Sequence, residues 1–138
     1  MKLMFITSLL IILLDQITKY FFQNKTFPIT SFFKFNYVEN TGAAFGMLKG
    51  FNPLFIIVGI VVILVILKYY KEIKKEKKYV HLALGFLLGG VLGNLIDRLF
   101  LGYVRDFIAF SFWPTFNLAD TFSTIAIVIL AFHILIKK

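Results

Sequence analysis

Residues 80–101 read VHLALGFLLGGVLGNLIDRLFL, an apolar stretch in which formal charge enters only near the end, at Asp97 and Arg98. A helix that crosses a bilayer needs about 20 predominantly apolar residues, so this stretch predicts a membrane span. Three other stretches have the same character: residues 3–22, 53–70 and 116–136. The sequence therefore predicts an all-α membrane protein with four transmembrane helices.

The composition of the whole chain excludes a soluble domain. Of its 138 residues, 59% are hydrophobic and 16% are charged, whereas a typical soluble domain is about 25% charged. The absence of Cys excludes a disulfide-stapled secreted domain. The first apolar stretch lacks a small-residue cleavage site and contains Asp15 and Lys19, so we interpret it as a retained span. We expect residues 1–138 to form a single integral membrane domain.

Basic residues predict the orientation in the membrane. Residues 68–78 hold six lysines and two glutamates, a net charge of +4 out of +8 for the chain. Positive charge beside span ends marks the cytoplasmic side, which places both termini in the cytoplasm and loops 23–52 and 102–115 outside. This topology accounts for the basic run, so nucleic-acid binding is not expected. Residues 31–38, SFFKFNYV, predict a small extracytoplasmic β-rich segment between helices 1 and 2.

Four aspartates are expected to converge on the outer side of the membrane. They lie in the outer parts of three spans and in the loop before the last one: Asp15, Asp97, Asp106 and Asp120. A charged residue near the bilayer centre costs roughly 2.5–3.5 kcal/mol on insertion scales, so intramembrane acids are functional candidates by default.

Simple structural explanations remain open for three of these aspartates. Asp15 and Lys19 have the spacing of a helical ion pair. Asp97 could neutralise the arginine that follows it. Asp120 could stand in the first turn of a helix capped by Asn117, where a negative charge favours the helix dipole.

Two stripes with a four-residue spacing lie in residues 80–101, one of glycines and one that is partly polar. The first stripe predicts close packing between helices. The second carries polar side chains that are costly to turn towards lipid, so it should face the bundle interior or a substrate groove. The first stripe is Gly85, Gly89 and Gly93, and the second is Gly90, Asn94 and Arg98.

The residue types that are missing narrow the chemistry to carboxylates. The sequence has no HExxH zinc motif, no Cys nucleophile and no Gly-rich phosphate loop, and its two histidines fall at predicted cytoplasmic span ends. Two aspartates held close together can share one proton, so that one acts as base towards water and the other as acid. Such a pair needs no metal or cofactor, and we expect none.

Five motifs resemble those of the lipoprotein signal peptidase (signal peptidase II) family, in the family's order and over essentially the whole chain. They are DQITK at residues 15–19, NTGAAF at 40–45, GGVLGNLIDR at 89–98, VRDF at 104–107 and FNLAD at 116–120. The resemblance implies an aspartic endopeptidase of the bacterial cytoplasmic (inner) membrane. It would cleave diacylglyceryl-modified prolipoproteins on the amino side of the lipid-modified Cys, with membrane lipid as its surroundings and its active site at the extracytoplasmic face.

The resemblance also implies roles for particular residues. Asp106 and Asp120 would be the catalytic pair. The residues expected to line, brace or support the substrate site are Asp15, Lys19, Asn40, Gly90, Asn94, Asp97, Arg98 and Asn117. Arg105 departs from the family pattern, in which Val is common. It could favour the charged form of Asp106, or its side chain could face solvent.

Two other classes of protein remain as alternatives. Intramembrane acids also serve small proton or cation transporters and channels, although transporter sites are expected near the bilayer midplane. A non-catalytic assembly protein would explain the glycines but gives no reason for Asp106 and Asp120 to lie together.

Overall fold

The computed structural model describes residues 1–42 and 50–137. Within these residues the chain forms five helices and a four-stranded antiparallel sheet with the order β1-β2-β3-β4. The elements are α1 (Lys2–Phe22), β1 (Thr26–Pro28), β2 (Phe33–Asn40), α2 (Asn52–Lys68), α3 (Tyr70–Ile73), α4 (Lys78–Phe100), β3 (Val104–Phe110), β4 (Trp113–Phe116) and α5 (Leu118–Ile136).

Helix α4 is the centre of the bundle, and its glycines allow α1 to approach closely. A Cβ atom added to Gly85 would lie 2.7 Å from Thr7 Cβ, and one added to Gly89 would lie 2.7 Å from Ile11 Cβ. The predicted packing role of this stripe is therefore confirmed. Helix α5 packs against α4 as extensively as α1 does, whereas α2 contacts α4 over a smaller area.

Within residues 1–42 and 50–137, three helices are long and apolar enough to cross a membrane: α1, α4 and α5. Helix α2 is equally apolar but has 17 residues, which span about 26 Å at 1.5 Å per residue. The second predicted span, residues 53–70, is shorter in the structure because the helix ends at Lys68 and a separate short helix begins at Tyr70. The prediction of spanning helices is thus confirmed for three of four. Large apolar side chains cover the outer faces of these helices, as with Leu9 on α1 and Val128 on α5.

The all-α description is wrong in one respect, because the sheet takes strands from both loops at one end of the bundle. Strand β2 lies in the segment that was predicted to be β-rich, but β3 and β4 come from the loop between α4 and α5. Residues 104–110, VRDFIAF, contain β-branched and aromatic residues that suit a strand. They pair with β2, which supplies backbone partners that an isolated strand would lack.

Stacked aromatic rings fix the sheet to the end of α1. The ring of Phe22 stacks on Phe35 of β2 at 4.4 Å and on Phe107 of β3 at 4.7 Å between centroids. The last turns of α1 and α4, the first turn of α5 and strand β3 consequently meet at the sheet end of the bundle.

The two histidines lie at the opposite end of the bundle. His81 contacts the amino terminus of the chain and the Ile73 carbonyl. His133 contacts the Tyr79 hydroxyl at 2.6 Å and Glu76 at 3.3 Å. Both therefore serve the structure of that end.

Candidate active site

Asp106 lies on β3 where the sheet meets the helices, and its side chain is 1% exposed. Its Oδ1 accepts a hydrogen bond from Asn117 Nδ2 at 2.7 Å, and its Oδ2 accepts one from Asn40 Nδ2 at 3.0 Å. Burial, and then repulsion from the carboxylate of Asp120, raise the pKa of Asp106 to about 7. The two amides act in the opposite direction but do not cancel this rise.

Asp120 occupies the first turn of α5, as the capping interpretation predicted. Asn117 is the N-cap, its Oδ1 accepts from the Asp120 backbone N–H at 2.9 Å, and Asp120 Oδ2 accepts from the Asn117 backbone N–H at 3.1 Å. The second carboxylate oxygen, Oδ1, accepts from Asn94 Nδ2 at 2.8 Å. One side chain therefore both caps the helix and faces α4.

The two carboxyl groups line one pocket of about 280 Å³ at the sheet end of the bundle. Both belong to buried hydrogen-bond networks and both are reached by amide donors, so an approaching molecule would meet a pair of carboxyl groups in fixed positions. Three polar residues that the sequence singled out share this pocket: Asn40, Asn94 and Arg98. The structure describes the first three residues of the NTGAAF motif, and residues 43–45 lie outside the described residues.

A layer of buried charges lies behind the pocket. Lys19 Nζ contacts Asp15 Oδ2 at 2.7 Å and Asp97 Oδ2 at 3.4 Å, and all three side chains are 0% exposed. Asp15 Oδ1 also accepts from the Ala119 backbone N–H at 3.0 Å, which ties α1 to the start of α5. The predicted Asp15–Lys19 ion pair is confirmed. Asp15, Lys19 and Asp97 thus brace the pocket from behind without lining it.

Arg105 completes this layer, and the interpretation that its side chain faces solvent is wrong. Its side chain is largely buried and makes two hydrogen bonds to Asp97, from Nη2 to Oδ1 at 2.8 Å and from Nε to Oδ2 at 3.2 Å. Asp97 pairs with Arg105 and Lys19, so it does more than neutralise the arginine that follows it. Strand β3 alternates its side chains, so Arg105 points away from the pocket that Asp106 enters.

Gly90 and Arg98 have different places on α4. A Cβ atom on Gly90 would lie 2.2 Å from Ser123 Oγ and 2.4 Å from the Ala119 carbonyl oxygen, so Gly90 permits contact between α4 and α5 directly beside Asp120.

The guanidinium of Arg98 stacks on the Phe55 ring, with 5.0 Å between the guanidinium carbon and the ring centroid. Its Nε is buried and has no hydrogen-bond partner among the described residues.

Several residues of the site were not predicted from the sequence, among them Gln16 and Phe55. Gln16 Nε2 donates to Asp97 Oδ1 at 3.2 Å and to the Gly93 carbonyl at 3.1 Å, while its Oε1 accepts from Arg105. The sequence could have indicated Gln16, because it is an uncharged polar residue inside an apolar span. Phe55 lines the pocket from α2 and had no distinguishing signal within its apolar run.

The fold and the site define a class of protein: an integral membrane protein that holds two carboxyl groups in one pocket, as an aspartic peptidase requires. A family model described as signal peptidase (SPase) II matches residues 7–136. The chain belongs to this family, and it is therefore a membrane peptidase of the aspartic type.

Similar proteins agree with the family. The chain is 41% identical over 135 residues to the lipoprotein signal peptidase of Moorella thermoacetica, covering 94% of this chain and 90% of the relative. It is 44% identical to that of Caldanaerobacter subterraneus subsp. tengcongensis, covering 92% of each. A solved structure described as a bacterial membrane enzyme superposes with a TM-score of 0.87 at 27% identity, covering 96% of this chain and 87% of that one. These findings do not favour the transporter alternative.

Proposed function

We propose that Asp106 and Asp120 are the catalytic pair with which this signal peptidase II cleaves the signal peptides of lipoprotein precursors. The observation that carries the proposal is their shared pocket, which is lined by two carboxyl groups from different elements. In a pair that holds one proton, the ionised carboxylate takes a proton from water while the water oxygen attacks the scissile carbonyl carbon. The protonated partner gives its proton to the carbonyl oxygen.

The second half of the reaction returns the pair to its starting state. As the tetrahedral intermediate collapses, one of its hydroxyl groups returns a proton to the ionised aspartate. The carbon–nitrogen bond breaks, and the leaving nitrogen takes the proton held by the other aspartate. One water is consumed, and one new carboxyl group and one new amine are formed. The raised pKa of Asp106 supports this assignment, because it allows a carboxyl group to hold a proton near neutral pH. The two carboxyls titrate as a unit, so the proton belongs to the pair.

The other predicted residues support the pair in different ways. Asn40, Asn94 and Asn117 donate to the carboxylate oxygens, and Arg98 adds a positive charge at the pocket wall. The buried layer of Asp15, Lys19 and Asp97 holds α1 against α4 and α5. Gly90 keeps α4 and α5 close enough for Asn94 to reach Asp120.

The substrate is a diacylglyceryl-modified prolipoprotein, cut on the amino side of the lipid-modified Cys. A groove of about 160 Å³ adjoins the pocket, shares Phe55, Asn94 and Arg98 with it, and is otherwise lined mainly by apolar side chains of α2 and α4. Such a groove suits a signal helix or an acyl chain that arrives from the bilayer beside polar chemistry.

The protein is a single domain of the bacterial cytoplasmic membrane. Helix α2 is the fourth span, and both termini are cytoplasmic. The support is the position of the basic segment 68–78, which follows α2 and begins α4 at the end of the bundle opposite the sheet. The pocket then faces the extracytoplasmic side.

The test uses purified protein in detergent with a diacylglyceryl-modified lipobox peptide and its unmodified twin. We expect cleavage of the modified peptide alone, and loss of cleavage in Asp106→Asn and in Asp120→Asn. Glu72→Gln makes the same acid-to-amide change on an exposed residue of α3 and should leave the rate unchanged. Equal cleavage of both peptides would remove the lipid requirement, and an active Asn variant would remove that aspartate from the pair.

A further inference from the structure

Lys19 lies one side chain away from Asp120. Besides its contacts with Asp15 and Asp97, Lys19 Nζ donates to Asn94 Oδ1 at 3.0 Å. An ammonium group has three donors and no acceptor, so Asn94 can meet it only with its oxygen. Asn117 Nδ2 donates to the same oxygen at 3.0 Å. Two donors therefore fix the direction of one amide.

The orientation of the Asn94 amide determines whether Asp120 faces its N–H donor or its oxygen. With Oδ1 turned to Lys19, Asn94 Nδ2 points at Asp120 Oδ1 and donates to it at 2.8 Å. If the amide turned over, Asp120 would face an oxygen and Lys19 would face an NH2 group, and both contacts would become repulsive. An N–H donor stabilises a carboxylate, whereas an oxygen at that point would favour its protonated form.

We propose that Lys19 is a positioning residue for peptide cleavage, which acts by fixing the Asn94 amide so that Nδ2 donates to Asp120. This inference rests on the proposed role of the aspartate pair. Lys19 does not line the pocket and so does not touch the substrate. Its effect on the reaction passes through Asn94.

A purely structural role would be to neutralise buried acids. Asp15, Lys19, Asp97 and Arg105 carry two negative and two positive charges, so the layer is balanced as a whole. That balance explains why a cation is buried but not why one of its donors leaves the layer for Asn94. The charged groups around Lys19 and the pair are Asp15 on α1, Asp97 and Arg98 on α4, Arg105 and Asp106 on β3, and Asp120 on α5.

The test compares Lys19→Met with Lys19→Arg, using kcat, KM and the pH profile of cleavage of the modified peptide. Lys19→Met keeps the length of the side chain and removes every donor. We expect kcat per folded enzyme to fall about tenfold or more with KM within about twofold, because the substrate contacts remain and the carboxylate geometry is lost. Lys25→Met makes the same change at an exposed lysine just beyond α1 and should leave kcat and the profile unchanged.

The pH profile separates an effect of Lys19 on the aspartate pair from a mere loss of stability. Removing the ammonium, and freeing the amide to turn, both disfavour the doubly ionised pair. The pH above which activity is lost should therefore move upward in Lys19→Met, and Lys19→Arg, which keeps a cationic donor, should restore most of the wild-type profile. A Lys19→Met enzyme that is less stable but has wild-type kcat and an unmoved profile would overturn the proposal.

If Lys19→Met does not fold, the wild-type protein still tests the inference. With asparagine side chains labelled by ¹⁵N, the Asn94 Nδ2 resonance should shift as the pH rises through about 7, the pKa of Asp106. An Asn94 Nδ2 chemical shift that does not change with pH over this titration would overturn the inference. A wild-type enzyme that does not cleave the modified peptide would instead overturn the proposed function, and the inference with it.

Discussion

The side-chain amide of Asn117 donates to Asp106 Oδ1 at 2.7 Å, although Asn117 is also the N-cap of the helix that carries Asp120. A single residue therefore begins α5 and holds the carboxylate of a neighbouring strand. The start of the helix and the spacing of the two carboxyl groups cannot vary independently.

Replacing Asn117 separates these two roles. Asn117→Ser keeps a good N-cap, whereas Asn117→Ala loses it at a cost of about 1 kcal/mol. Both variants lose the donor to Asp106. We expect thermal unfolding in detergent to be less affected in the Ser variant, while cleavage falls at least about tenfold in both. Substantial activity in the Ser variant would show that the cap alone matters.

If Asp106 belongs to the catalytic pair, as proposed, its pKa should set an upper pH limit on activity. Because burial raises this pKa to about 7, the pair loses its shared proton as the pH rises through that value, and kcat/KM should fall. A profile that stays flat well above neutrality would contradict this prediction. The Asp120→Glu variant is a useful comparison, because it keeps two carboxyl groups but changes their spacing.

The same carboxyl group makes stability depend on pH. Its pKa in the folded protein is higher than in the unfolded chain, so the folded state binds the proton more tightly. The stabilisation is complete below about pH 4 and is lost as the pH rises towards about 7. Asp106→Asn should remove this component and unfold at a higher temperature than the wild type at alkaline pH. Equal slopes of unfolding temperature against pH in the two proteins would contradict this.

Arg105 should matter for stability through Asp97. Arg105→Val leaves the buried Asp97 with a reduced set of partners, at a cost of about 3 kcal/mol or more. The double variant Asp97→Asn/Arg105→Val removes both charges and should lose less than the two single variants together. Lys34→Met, an exposed cation on β2, should change the unfolding free energy by no more than about 0.5 kcal/mol. Strict additivity of Asp97→Asn and Arg105→Val would argue against the pairing.

Gly90→Ala tests the approach of α4 to α5. The new Cβ would meet Ser123 Oγ and the Ala119 carbonyl at 2.2 and 2.4 Å, so α5 must shift at the residue before Asp120. We expect destabilisation of about 1–3 kcal/mol and a clear loss of cleavage. Gly59→Ala on α2 is the matched control for stability, because its nearest neighbours lie at 3.6 Å. Similar losses of unfolding free energy from both substitutions would mean that helix propensity, not contact, decides the outcome.

The sequence predicted the bundle well because a membrane span is set by local composition. Residues 80–101 and the motifs around Asp106 and Asp120 could be located without knowing their partners. The pairing of β2 with β3 could not, because it joins residues far apart in the chain through backbone groups that carry no side-chain signal. The expectation that the Arg105 side chain faces solvent was wrong for the same reason, because the direction of this side chain depends on which face of β3 meets the helices.

The hydrogen bond between Asp15 and the Ala119 backbone joins the first helix to the last across 104 positions of the chain. Asn40, Asn94 and Asp120 are likewise contributed by successive parts of the polypeptide. If Asp106 and Asp120 are the catalytic pair, as proposed, a nascent chain has no complete pair until α5 is synthesised and docked. On that proposal the enzyme is inactive throughout its own insertion, and a truncation before α5 should abolish activity, not merely reduce it.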